Sequence, residues 1–145
     1  MEPCSTDDDL RHGAWSPLNL RRLIFAPPGI ARQDFIITLV SFLPRGKELT
    51  LQEGYAAARQ TMLNLLSAAK ATLGNLDRVE CVVKLNGYVN STPDFDRQPE
   101  VINGASDLLE QVFGEQGRHA RTSIGVNILP GNIPVEIEMV LQVSS

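Results

Sequence analysis

A single α+β domain, with elements in the order β-β-α-β-α-β-β and both helices on one face of a mixed sheet, is the fold this sequence predicts. Three observations predict it. Two amphipathic segments with helical spacing each carry one apolar stripe, and a strand separates them. The remaining apolar segments are short and read as strands, by alternation or by β-rich runs. The chain has 145 residues, 43% of them hydrophobic, which is enough for one core and one domain.

In chain order, residues 1–17 are polar, acidic and without periodicity. They read as a flexible arm before a domain spanning residues 18–145. His12 and Trp15 lie in the arm, where a tryptophan packs onto a neighbouring surface more often than it binds a ligand. Leu18–Phe25 reads as a first strand, and Pro27-Pro28-Gly29 as a turn. Phe35–Val40 is β-rich and nearly continuous in apolar residues, so it reads as a central strand, with Pro44-Arg45-Gly46 as the loop after it.

Thr50-Leu51-Gln52-Glu53 fits a capping box, a hydroxyl at the N-cap with a carboxylate three residues on. Leu51, Tyr55, Ala58, Met62, Leu66, Ala69 and Leu73 then describe one face of a helix of roughly 22 residues, closed by Gly74. Val79–Val89 alternates as a long strand. Val79, Cys81, Val83, Leu85, Gly87 and Val89 take its apolar face, and Glu80, Val82, Lys84, Asn86 and Tyr88 the other. Pro99 suits the first turn of a second helix. Its stripe runs from Val101 and Ile102 through Ala105, Leu108 and Leu109 to Val112 and Phe113, before Gly114–Gly117 ends it.

Two period-2 runs close the chain. In the first, Thr122, Ile124, Val126 and Ile128 oppose Arg121, Ser123, Gly125 and Asn127. In the second, Val135, Ile137, Met139, Leu141 and Val143 oppose Glu136, Glu138, Val140 and Gln142. Each strand thus has an apolar and a polar face. With both helices on one sheet face, the other face meets water or a second chain. Val82 and Val140 on that face favour a dimer or trimer.

The net charge of −4 argues against nucleic-acid binding as the main role, since neutralising phosphates calls for a basic surface. Cys4 and Cys81 lie far apart, so no disulfide framework is implied, and Cys81 reads as a buried thiol in a strand. No apolar run approaches a membrane span, and Asp7-Asp8-Asp9 is wrong for a signal peptide. The expectation is a reducing, cytoplasmic compartment. The sequence carries no phosphate loop, no zinc spacing and no nucleophile elbow. His119 is the one histidine outside the arm, and it reads first as a loop residue.

What remains is Arg121 with Glu136, helped by Asn103 and Ser123. Arginine grips a carboxylate with two parallel hydrogen bonds, and a nearby glutamate can hold and activate a water. Together they suit hydration of a small, polarised acid. If the last two strands formed a plain hairpin, the two groups would stand roughly 15–20 Å apart at about 3.4 Å per residue. A shared pocket would then need non-hairpin pairing or a subunit boundary. The bland alternative is an ordinary wet sheet face.

The motifs that carry a resemblance are Val83-Lys84-Leu85-Asn86-Gly87-Tyr88-Val89-Asn90, Gln98-Pro99-Glu100-Val101-Ile102-Asn103-Gly104-Ala105-Ser106, Gly117-Arg118-His119-Ala120-Arg121, and Val135-Glu136-Ile137-Glu138 after Leu129-Pro130. They resemble the RidA/YjgF family of reactive-intermediate deaminases, closest to its Gly-Arg-His-Ala-Arg branch, and the resemblance covers Thr50 to Val143. The resemblance implies a chorismate-mutase-like fold, a homotrimer with sites between subunits, and no cofactor and no metal. It also implies hydrolysis of 2-enamine and 2-imino acids of the 2-aminoacrylate type to 2-oxo acids and ammonia. By position, Arg121 matches the carboxylate-binding arginine and Glu136 the glutamate that orients water. Asn103 matches an asparagine near the cleft, and Ser123 falls where many members carry cysteine. Tyr88 and Phe95 are candidates for the cleft wall, Tyr88 as a substrate-binding residue, with core packing the alternative for each.

The first third departs from the family pattern. Ser41-Phe42-Leu43-Pro44 stands in place of a Ser-Gly-Gln-like corner, and no tyrosine precedes Tyr55. Phe42 resists backbone angles that glycine accepts, so the corner takes another shape. Two other functions stay open: a trimeric binding protein holding small carboxylates without turnover, and a ribonuclease or translation inhibitor. The acidic charge and the lack of a histidine pair argue against the latter.

Overall fold

The computed structural model describes residues 23–25, 33–40 and 49–144, the first two segments by their backbone. The expected arm and the Ser41-Phe42-Leu43-Pro44 corner lie outside the described residues. The elements are β1 (Leu23–Phe25), β2 (Gln33–Val40), α1 (Leu51–Leu73), β3 (Val79–Asn90), α2 (Gln98–Phe113), β4 (Ala120–Val126) and β5 (Val135–Val143), in the expected order. They form one five-stranded sheet in the spatial order β1-β2-β5-β3-β4. All neighbours are antiparallel except β3 and β4, which run parallel.

Helix α1 starts where its capping box dictates. The Glu53 N–H donates to Thr50 Oγ1 at 3.2 Å, and the Thr50 N–H donates to Glu53 Oε2 at 2.8 Å. It stops at Gly74, whose φ of 83° is open to glycine at little cost. Pro99 occupies the first turn of α2, where its missing N–H costs nothing. Met62, Leu65, Ile102 and Leu109 from the helices meet Leu85, Ile137, Met139 and Leu141 from the sheet in one buried core. The helices cross closely at Gly104, where a Cβ would stand 2.1 Å from the Tyr55 carbonyl oxygen. Among the described residues no helix is long and apolar enough to cross a membrane.

Two expectations about faces are corrected. In β3 the pairing with β5 shifts between Val79 and Cys81 and again between Val82 and Lys84. The alternation therefore changes phase. Val82 is buried in the helix-side core, Val83 is exposed, and Cys81 is only half-buried, its thiol beside Gln142 Oε1 at 3.8 Å. Val82 thus does not contribute to the open face, and Cys81 is not a sealed thiol.

In β4 the apolar residues face away from the helices. Arg121, Ser123 and Gly125 stand in register with Leu85, Gly87 and Val89, which face the helices. Ile124 is left 44% exposed, and Ile128, just beyond the strand, 71%. Period-2 alternation separates two faces but does not say which one a helix will cover. Here α2 presents Asn103 and Ser106, not its apolar stripe, to the outermost strand.

Candidate functional site

Arg121 is the centre of the site. Asn103 and Ser106 lie three residues apart on α2, hence on neighbouring positions of one helix face. Arg121 lies on β4 beneath them. Its Nη1 donates to Asn103 Oδ1 at 2.7 Å and to Ser106 Oγ at 3.2 Å. Among the described residues no carboxylate pairs with this exposed guanidinium. The other ion pairs at this end are internal to it: Arg118 lies 2.9 Å from Glu110 and 3.0 Å from Glu115. A cleft of about 320 Å³, lined by Ser106, Glu110, Gly117, Arg118, His119 and Arg121, opens here.

Ser123 follows Arg121 by two residues and shares its face of the sheet. Its hydroxyl is buried and has no hydrogen-bond partner among the described residues. An orphaned buried hydroxyl costs about 1–3 kcal/mol, so a guest or a water that bonded to it would relieve that cost.

From sequence His119 reads as a loop residue, and no local pattern marks Ser106 by itself. Both prove to be part of the arginine's surroundings. The signals were the spacing of Asn103 and Ser106 on a helix and of His119 and Arg121 at the start of a strand. The half-buried His119 ring places Nε2 3.1 Å from Ser106 Oγ and Nδ1 2.6 Å from the Gly117 carbonyl oxygen. Burial pushes its pKa below the ordinary histidine value; the Gly117 bond opposes this, and the Arg121 charge adds to it.

Glu136 and Tyr88 belong to a second cluster. They stand opposite each other in the β3–β5 register, on the open face of the sheet. Asn86 Nδ2 donates to Glu138 Oε2 at 2.8 Å on the same face. The last two strands do not form a hairpin, because β3 lies between them. Within one chain Arg121 and Glu136 therefore occupy opposite faces, and no single protomer brings them together. Phe95, the other wall candidate, is partly buried against the core.

Burial first, and the neighbouring Glu138 second, raise the Glu136 carboxyl above the usual carboxylate value. A group whose pKa is raised by folding supports the fold while protonated, and that support is lost as pH climbs through the folded value. Glu136→Gln is accordingly expected to raise Tm at pH 7 by about 1–3 °C and to leave it unchanged near pH ~3.5. Thermal melts at the two pH values check this. A glutamine variant less stable at pH 7 would mean that the carboxylate makes a favourable bond.

Among the described residues no three His, Cys, Asp or Glu side chains gather closely enough to hold a metal ion. A second hollow, of about 800 Å³, lies at the end of the sheet near the start of α1, with Thr50, Asn90, Phe95 and Asn132 on its walls.

Residues 38–140 match the family model described as "YjgF/chorismate_mutase-like, putative endoribonuclease". Protein TCP17 of Trypanosoma cruzi is 50% identical over 101 residues, which is 69% of this chain; the chain spans 63% of the length of that protein. A protein of unknown function from Agrobacterium tumefaciens is 36% identical, with a TM-score of 0.67 over 75% of this chain and 78% of its own. RidA from the Antarctic bacterium Psychrobacter is 26% identical, with a TM-score of 0.51 over 76% of this chain and 80% of its own.

Proposed function

The chain belongs to the YjgF/chorismate-mutase-like family, and from that premise and the surroundings of Arg121 we propose that it is a deaminase of small 2-imino acids. The observation that carries the reading is an exposed guanidinium whose Nη1 is fixed by Asn103 and Ser106 but which has no carboxylate partner among the described residues. A small carboxylic acid supplies that missing partner.

An enamine such as 2-aminoacrylate first takes a proton on carbon and becomes the imine. Water then attacks the imine carbon, a C–O bond forms, the C–N bond breaks, and ammonia leaves with a 2-oxo acid behind. Glu136 accepts a proton from the attacking water and hands it to the nitrogen, which takes the second proton of that water as the C–N bond breaks and the C=O bond forms. Its raised pKa makes it a better proton acceptor than an ordinary carboxylate. Since Glu136 and Arg121 stand on opposite faces of one sheet, the working site takes one of them from each of two chains. A homotrimer, with the open face of one protomer against the cleft of the next, supplies this arrangement. Ile124, Val126, Val140 and Tyr88 give that open face the partly apolar surface a contact between chains requires.

The test is 2-iminobutanoate generated in situ from its amino acid. The protein is expected to speed its conversion to 2-oxobutanoate and ammonia without any added cofactor. Saturable binding of 2-oxobutanoate with no acceleration at any protein concentration would instead select the non-catalytic carboxylate-binding reading.

A further inference from the structure

The arginine is held by a directional chain of hydrogen bonds. Nη1 carries two hydrogens, and both are used, one by Asn103 Oδ1 and one by Ser106 Oγ. A guanidinium accepts nothing and a backbone carbonyl oxygen donates nothing, so the two ends of the chain are fixed in sense. The Ser106 hydroxyl accepts from Arg121 and is left to donate to His119 Nε2, 3.1 Å away. The Gly117 carbonyl oxygen, 2.6 Å from Nδ1, can only accept, so the ring proton sits on Nδ1 and Nε2 of the neutral ring is bare to take the Ser106 hydroxyl. Around the neutral imidazole the chain runs one way, from cation to backbone carbonyl.

We infer that Ser106 and His119 are positioning residues for Arg121, fixing its Nη1 and leaving the Nε–Nη2 edge as the fork that receives a carboxylate side-on. The inference rests on the reading of Arg121 as the carboxylate anchor. Among the described residues nothing takes Nε or Nη2. A guanidinium pinned at one nitrogen has lost much of its rotational freedom before a guest arrives, so less is lost on binding. The charged groups around His119 are Arg121 on β4, Arg118 next to it in sequence, and Glu110 on α2, the last two paired with each other. Protonating His119 would turn Nε2 into a donor, take away the acceptor Ser106 uses, and set a second cation beside Arg121.

The test uses 2-oxobutanoate as the probe, with calorimetry at pH 8, and nitrogen NMR of the imidazole in the intact protein. Ser106→Ala and His119→Leu are each expected to weaken binding about tenfold, the scale of one lost hydrogen bond in a charged network. His119→Gln, whose side-chain oxygen can accept from Ser106, is expected to recover affinity to within about threefold of the wild type. The wild-type ring should carry its proton on Nδ1, and its pKa should rise in Arg121→Ala and in Ser106→Ala. Undiminished binding in both truncations, a proton on Nε2, or a histidine titration indifferent to Arg121→Ala would each overturn the relay. A wild type that binds the probe but hydrolyses no imine sinks the deaminase reading and leaves the relay standing. Turnover with an unchanged KM in Ser106→Ala does the reverse. A wild type that binds no 2-oxobutanoate removes the anchor, and the relay with it.

Discussion

Arg121→Ala is expected to abolish the acceleration of imine hydrolysis, lowering kcat/KM by about 100-fold or more. Two charge-assisted hydrogen bonds to a carboxylate are lost, each worth about 1.5–3 kcal/mol, and tenfold corresponds to about 1.4 kcal/mol. Arg121→Lys is expected to recover little of this. A lysine carries one compact ammonium, which cannot bond Asn103 and Ser106 and also present a fork. Because Arg121 is exposed, the loss should fall on activity and leave Tm nearly unchanged. Steady-state kinetics and melting curves on the same preparations separate the two effects. An alanine variant that keeps its kcat/KM would remove the carboxylate anchor from the mechanism.

Gly104→Ala is expected to destabilise the domain strongly for the addition of a single methyl group. The added Cβ would lie 2.1 Å from the Tyr55 carbonyl oxygen and 2.9 Å from its carbon, and backbone cannot rotate out of the way as a side chain would. Helices α1 and α2 must separate, and the core between them must loosen. Overpacking of this kind costs about 1–3 kcal/mol and occasionally more, and we expect the upper end. Denaturant titration measures it. Asn103 and Ser106 flank Gly104 on the same helix, so the variant should also bind 2-oxobutanoate less well than its remaining folded fraction accounts for. Unaltered stability would show that the helices have slack at this crossing.

Sequence and structure agree where the signal is local. The capping box at Thr50 and Glu53 and the glycine stop at Gly74 sit where their chemistry requires, because each acts within a few residues of itself. The second helix and the order of elements along the chain follow equally well from periodicity. Alternation in β3 was misleading for a physical reason: Val79 to Lys84 holds two pairing shifts, and a shifted strand keeps its composition while changing its phase. Alternation in β4 was read with the right period and the wrong side, since the covering of a face is decided by α2 and not by the strand. Arg121 stands out because an arginine is unusual on a wet strand face, and Asn103 joins it as a helper and through the family motif. Their link to His119 was hidden, because a histidine near a helix end has no distinctive local pattern. The separation of Arg121 from Glu136 depends on β3 inserting between β4 and β5, and nothing near either residue announces that insertion.

The two pairing shifts at the start of β3 also bear on how the chain tolerates length changes. They act as a slip joint ahead of Lys84. A residue deleted or inserted among positions 80–83 can be absorbed there, because the ladder is already out of step. The same change after Leu85 has no such refuge: it would carry Asn86 off Glu138 and Tyr88 off Glu136, and reverse every side chain up to Asn90.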